Sequence, residues 1–209
     1  MQLLGNALSP YAARVIIAAR FKGVDLTLVP TAPQSAELLA RSPIGKIPVL
    51  MDGDLVLPES DAILAYFEDV TPTPTLYPGD AKSRALVRLM VRLMDGYSTP
   101  SFGPFLPKAD PRATAEAMDR IRTALAYVDH FRPDGRFAAG NAFSAADCAW
   151  IPFFHLFERL DPSHGVLALV RRHPRLEAWW SYTCDSDLGR FARGAIDGEL
   201  ARFLASAGS

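Results

Sequence analysis

Ser42-Pro43-Ile44-Gly45-Lys46-Ile47-Pro48-Val49-Leu50-Met51-Asp52-Gly53-Asp54-Leu55-Val56-Leu57-Pro58-Glu59-Ser60 is the stretch whose reading decides the fold. It reads as loop, Ile-Pro, short strand, tight turn, short strand and helix start. Asp-Gly between two apolar runs is the strongest short hairpin signal a sequence offers. Pro48 opens the first strand, where the missing N–H takes nothing from the ladder and where cis X-Pro bonds concentrate. A cis Ile47-Pro48 bond would turn the N–H and C=O of Ile47 out of the sheet, free to pair with an extended peptide as an added strand does. At the far end, Glu59 and Ser60 fall at a helix start, whose exposed amides attract a carboxylate. The segment reads as a receptor for a small, anionic, peptide-like ligand.

Upstream, residues 2–4 form a strand candidate that runs into Ser9-Pro10. Serine at an N-cap followed by proline at the first helical position is a helix start. The helix runs through Val15, Ile16, Ala19 and Phe21 and stops at Lys22-Gly23, a basic last turn and a glycine stop. Residues 26–29 are strand-like and 36–40 a short helix; a helix over about 59–69 follows the hairpin. The order is β-α-β-α-β-β-α. Strand-helix-strand implies a parallel pair with a right-handed crossover, and the hairpin adds antiparallel strands. That is the thioredoxin-like pattern. The expected organisation is therefore an α/β thioredoxin-like domain over residues 1–75, a linker over 76–83, and an all-helical domain over 84–209.

Thr71-Pro72-Thr73-Pro74-Thr75 cannot continue a helix, because each residue before a proline is driven towards extended backbone. Beyond residue 81 the pattern is helical. Ala85, Leu86, Leu89, Met90, Leu93, Met94 and Tyr97 form a broad apolar stripe, ended by the proline-rich residues 100–107. Further helices fit 112–131, 144–160, 166–172, 174–184 and 188–204. Ser144-Ala145-Ala146-Asp147 is a capping signal with Phe143 and Cys148 at the staple positions, and its role is stability.

Apolar residues make up 49% of the 209, enough to fill a core, and no apolar run approaches the ~20 residues of a membrane span. Basic and acidic residues number 22 and 23 and form no block, which argues against nucleic acid or membrane as partner. Two cysteines, Cys148 and Cys184, are too few for a disulfide scaffold, and with no secretory leader in the pattern a reducing cytoplasm is expected. His130, His155, His164 and His173 show no metal-ligand spacing, and no glycine-rich phosphate loop follows a strand. Neither metal nor nucleotide is expected.

Ile47-Pro48, the hairpin and Pro58-Glu59-Ser60 together resemble the glutathione site of the cytosolic glutathione S-transferases, a thioredoxin-like domain followed by a helical one. Ser9-Pro10-Tyr11 is similar to the serine-type members, among them the plant tau and phi types; omega-type relatives and glutaredoxins carry cysteine there. The resemblance implies a cytoplasmic homodimer that binds glutathione as co-substrate and adds its thiolate to an electrophilic small molecule. It implies Ser9 as the hydroxyl that activates the thiol, with Tyr11 as the alternative. A thiol of pKa ~8.5 is only slightly ionised at neutral pH, and a donated hydroxyl plus a helix dipole favours the charged form. A serine committed to capping the helix would compete with that role.

By the same resemblance Ile47 and Pro48 would pair with the cysteinyl unit, Glu59 with the γ-glutamyl ammonium and Ser60 with its carboxylate. Lys46 could reach the glycyl carboxylate. Many relatives carry another basic residue early in the second helix, and residues 31–40 contain none, so Arg41 is the candidate substitute. Tyr97, Phe102 and Phe105 are candidate walls for the second substrate. A glutathione-dependent isomerase, dehalogenase or ether-cleaving enzyme, or a non-catalytic binding protein, would keep the same motifs.

Overall fold

The computed structural model describes residues 1–98, 103–105, 110–161 and 165–207. By contacts the chain divides into two units, Met1–Leu76 with Asp187–Ser209, and Tyr77–Ser186. The first unit runs β1 (Gln2–Gly5), α1 (Pro10–Lys22), β2 (Thr27–Pro30), α2 (Ala36–Leu39), β3 (Val49–Asp52), β4 (Leu55–Pro58) and α3 (Ser60–Val70). The strands form one sheet in the order β2-β1-β3-β4, with β1 and β2 parallel and the other pairs antiparallel. This is the thioredoxin-like βαβαββα order expected from the sequence. Leu3, Leu4, Val49 and Leu50 are buried at its centre; Leu4 and Val49 cluster with Leu38 of α2, and α1 and α3 pack against each other.

Local chemistry sets the limits of α1. Ser9 stands at its N-cap, accepting the Ala12 amide at 3.3 Å, and Pro10 opens the helix. Gly23 ends it in the left-handed region, φ 70°, with its N–H on the Ala19 carbonyl. Lys22 is buried and ion-paired with Glu68 of α3, and it also donates to the Pro74 carbonyl at 2.8 Å. Glu68 accepts from the Thr75 hydroxyl at 2.6 Å and the Leu76 amide at 2.8 Å. Burial pushes the Glu68 carboxyl up, but the bonds from Lys22, Thr75 and Leu76 outweigh it and hold the group below its ordinary value. The proline-rich stretch after α3 is thus fastened down at both Pro74 and Thr75.

The second unit holds α4 (Ala81–Leu93), continued as a π-turn over Met94–Ser98, α5 (Pro111–Phe131), α6 (Ala145–Leu160), α7 (Val166–Val170) and α8 (Pro174–Asp185). Every residue of α6 from Ala145 to Phe157 is buried, as a helix apolar on all sides must be. Trp150 packs edge-on against Trp179 at 5.2 Å, and its indole N–H donates to the Met90 carbonyl at 3.1 Å. The cap expected at Ser144 is larger than its local pattern. One Asp147 oxygen accepts the Ser144 amide and hydroxyl, both at 3.0 Å; the other accepts the Ala138 amide and the Trp179 indole N–H, both at 2.8 Å.

The last helix, α9 (Asp187–Ala207), packs on α1. Expected as part of a helical domain over 84–209, it groups by contact with the first unit instead. The reason is apolar cover: Ala192, Ile196 and Leu200 are its buried face, and the Arg20 guanidinium lies 5.5 Å over the Phe191 ring. Among the described residues no helix is long and apolar enough to cross a membrane.

Burial raises the Asp147 carboxyl from its ordinary 3.8 to about 6, the four donors restraining a larger rise. Because the folded value is the higher one, the stability this group contributes is complete below about 4 and is lost as pH rises to about 6, a span worth about 3 kcal/mol. Asp147→Asn should therefore flatten the pH dependence of unfolding free energy across that window, even though the variant is less stable at every pH. Denaturant titrations at pH 4 and pH 7 check this, and an unchanged slope would refute it.

Candidate active site

The register of the sheet brings three chain ends together. Val49 pairs with Leu4 on one side and Pro58 on the other. The end of β1, the start of β3 and the end of β4 therefore lie side by side at one edge. The loop from Gly5 leads to Ser9 and α1, and Pro58 leads through Glu59 into α3, so both helices begin at this edge. Their N-terminal amides and dipoles bring positive potential to it.

Ser9 is half-buried at the head of α1. The Asn6 side-chain oxygen accepts the Leu8 and Ser9 amides, both at 3.2 Å, and fixes the approach of the loop. The competition expected between capping and chemistry is relieved by the hydroxyl's valence. Ser9 caps α1 by accepting the Ala12 amide through a lone pair, which leaves its hydrogen available to donate. Tyr11 is half-buried, with the Arg14 guanidinium 5.3 Å from its ring centre.

Ile47-Pro48 is cis, as expected, with Ile47 half-buried and Pro48 buried. The loop before it is locked at Gly45, whose carbonyl accepts both the Gln34 amide at 2.9 Å and the Gln34 side-chain N–H at 3.2 Å. Gly45 has φ 65°, which favours glycine, and a Cβ there would come within 2.4 Å of the Gln34 side chain and displace its amide. Lys46 and Arg41 are exposed.

Glu59 is exposed and precedes α3 with φ 70° and ψ 114°, and its side chain makes no capping bond. A non-glycine residue in that region is strained, and such strain concentrates at functional sites. Ser60 is 5% exposed, and its hydroxyl oxygen accepts from Arg14 Nη1 of α1 at 3.3 Å. Arg14 itself is 2% exposed and contacts the Asp61 carboxylate at 3.5 Å.

Sequence reasoning passed over Asn6, Gln34 and Arg14. The only signal for Arg14 was a charge inside the otherwise apolar Ala12-Ala13-Arg14-Val15 run. Nothing in Pro58-Glu59-Ser60 marks the positive φ of Glu59.

The residues proposed for a second substrate divide. Tyr97 is 55% exposed, edge-on to Tyr127 at 5.4 Å. Phe105 is only 2% exposed and packs edge-on against Phe157 at 4.8 Å, so its ring is a core ring within the second unit and presents no wall. Phe102 lies outside the described residues. A cleft of about 380 Å³ between α1, β2 and α9, lined by Ile16, Leu26, Leu28 and Phe191, contains none of the sequence-selected residues. Among the described residues no group of three or more His, Cys, Asp and Glu could hold a metal ion; His155 faces Glu158 at 3.4 Å and His173 faces Asp129 at 3.1 Å.

Residues 3–75 match the family model of the glutathione S-transferase N-terminal domain, and residues 111–179 that of the glutathione S-transferase C-terminal domain. The chain is similar to glutathione S-transferase 4 of Zea mays, 29% identical over 195 residues that cover 86% of each chain. It is 31% identical over 202 residues to the probable glutathione S-transferase BZ2 of Zea mays, covering 86% of this chain and 84% of the relative. The crystal structure of glutathione transferase F7 from Populus trichocarpa superposes with TM-score 0.79 over 93% of this chain and 98% of its own, at 20% identity, and shares the fold. The chain belongs to the glutathione S-transferase family.

Glu59→Gly should relieve the backbone strain and stabilise the protein by about 1 kcal/mol. Thermal unfolding checks this, and a lower melting temperature would mean that the Glu59 side chain supports the fold by more than its backbone costs.

Proposed function

We propose that this chain is a glutathione transferase in which the Ser9 hydroxyl donates to the glutathione sulfur and stabilises it as thiolate. The observation that carries the reading is the opening of α1 and α3 at one edge of the sheet, with Ser9 heading one helix and Ser60 the other. Glutathione carries a carboxylate at each end and a thiol between. The backbone of Ile47 beside Pro48 pairs with the cysteinyl unit. Ser60 and the first amides of α3 take the γ-glutamyl carboxylate, and Glu59 its ammonium. Lys46 or Arg41, both exposed cations, takes the glycyl carboxylate. On binding, the thiol proton leaves to solvent, and the Ser9 hydrogen bond and the α1 dipole hold the resulting charge. The sulfur lone pair then forms the bond to the electrophilic carbon, and the electrons of the broken bond leave with the departing group or settle on the acceptor.

Tyr97 is the exposed aromatic retained as a contact for the electrophile. The reading needs neither metal nor nucleotide. Two free cysteines suit a reducing cytoplasm. Assembly is proposed as a homodimer through the first two helices of the second unit, α4 and α5. Light scattering at micromolar concentration tests this, and a monomer would refute it.

Initial rates with glutathione and a panel of electrophiles, beside a titration of glutathione affinity, test the activity. Absence of both binding and turnover would reject it, and rates confined to an isomerisation or dehalogenation substrate would move the enzyme to that chemistry. Ser9→Ala should lower kcat by roughly tenfold or more, as loss of a hydrogen bond to a charged group does, while leaving glutathione affinity nearly unchanged. The thiolate absorbance of bound glutathione should titrate at higher pH in the variant. Equal turnover would remove Ser9 from the mechanism and turn attention to Tyr11.

A further inference from the structure

Arg14 is buried where a charge is costly to place, and it faces the residue at the head of α3. Its Nη1 donates to the Ser60 hydroxyl oxygen at 3.3 Å and lies 3.5 Å from the Asp61 carboxylate. We propose that Arg14 is a positioning residue for the γ-glutamyl end of glutathione, acting through Ser60; the inference rests on the glutathione reading above.

A guanidinium has only donors, whereas a hydroxyl has one hydrogen and two lone pairs. Ser60 must therefore accept from Arg14, and the Ser60 hydrogen must point to some other acceptor. Ser60 is the first residue of α3, so no carbonyl of its own helix lies a turn before it to take that hydrogen, as one would in a helix interior. An anion at the α3 N-terminus, beside amides that the Glu59 side chain leaves uncapped, is the acceptor assigned to the Ser60 hydrogen. Arg14 thus makes Ser60 an obligate donor at this point. Without it, the hydroxyl could turn its lone pairs towards the helix amides and its hydrogen elsewhere.

Orientation outweighs charge here. The Asp61 side chain is half-exposed and offsets much of the Arg14 charge as seen from the ligand, but it cannot alter the direction in which Ser60 donates. The effect should fall on one end of the ligand only. A thiol lacking the γ-glutamyl unit has nothing at α3 for Ser60 to recognise.

The test compares glutathione with cysteinylglycine, which keeps the thiol and the glycyl carboxylate. Arg14→Met should weaken the dissociation constant or KM for glutathione by about tenfold and that for cysteinylglycine by less than about twofold, with kcat nearly retained. Arg14→Lys restores a donor without the planar fork and should show an intermediate loss with the same selectivity; if Arg14→Met does not fold, the selectivity of Arg14→Lys decides. In a Ser60→Ala background neither change should cost further glutathione affinity, because the relay is already gone. Equal losses for both thiols, or a full additional loss on top of Ser60→Ala, would overturn the proposal and reduce Arg14 to a packing role. A wild type that binds glutathione no better than cysteinylglycine would instead reject the glutathione reading itself, and this proposal with it.

Discussion

The pairing of Val49 with Leu4 on one side and Pro58 on the other is the constraint on which the candidate site depends. Side chains alternate along a strand, so a slip of one residue in either ladder would send every β3 side chain to the opposite face of the sheet and into the wrong packing. Val49 and Leu50 are both fully buried, between the neighbouring strands and the helices, which makes such a slip prohibitive. With the register fixed, the distance between the two helix starts is no longer adjustable. The groups of the candidate site stand at the ends of these rigid elements, an arrangement that holds a site precisely.

Much of this was legible in the chain, for identifiable reasons. Ser9-Pro10, Lys22-Gly23 and Asp52-Gly53 are local signals in which a few residues decide their own backbone, and the observed elements begin and end within a residue or two of them. The apolar spacing of the second half gave its helices for the same reason. The failures are non-local. Arg14 meets a residue 46 positions away, and no spacing rule links the two. Asp147 was readable as a cap towards Ser144, but its second oxygen is taken by Ala138 and by Trp179, which is 32 positions on. Phe105 was a candidate wall by resemblance alone, and the ring it packs against, Phe157, belongs to α6. Glu59 shows the opposite limit. Its strained backbone is imposed by the elements on either side, and its own side chain does nothing to announce it.

The two units use buried polarity differently. In the second, Asp147 collects four donors with no accompanying cation among them, so burial wins and its carboxyl rises. In the first, Glu68 is paired with Lys22 and its carboxyl falls. One arrangement loses stability as pH rises and the other as pH falls. The two carboxylates therefore act in opposite directions on stability as pH changes.

The packing of α9 on α1 has a consequence for how the protein is made. The first unit is not contiguous in sequence: its sheet is complete by Pro58, yet the cover over Ile16, Ala19 and Leu28 comes from residues beyond Asp187. During synthesis the sheet and its first three helices emerge long before that cover exists, and domains generally begin to fold as they emerge. Until α9 is made, the face of α1 that it packs against stands open to solvent. A chain that lacks α9 therefore exposes apolar surface that the complete chain buries.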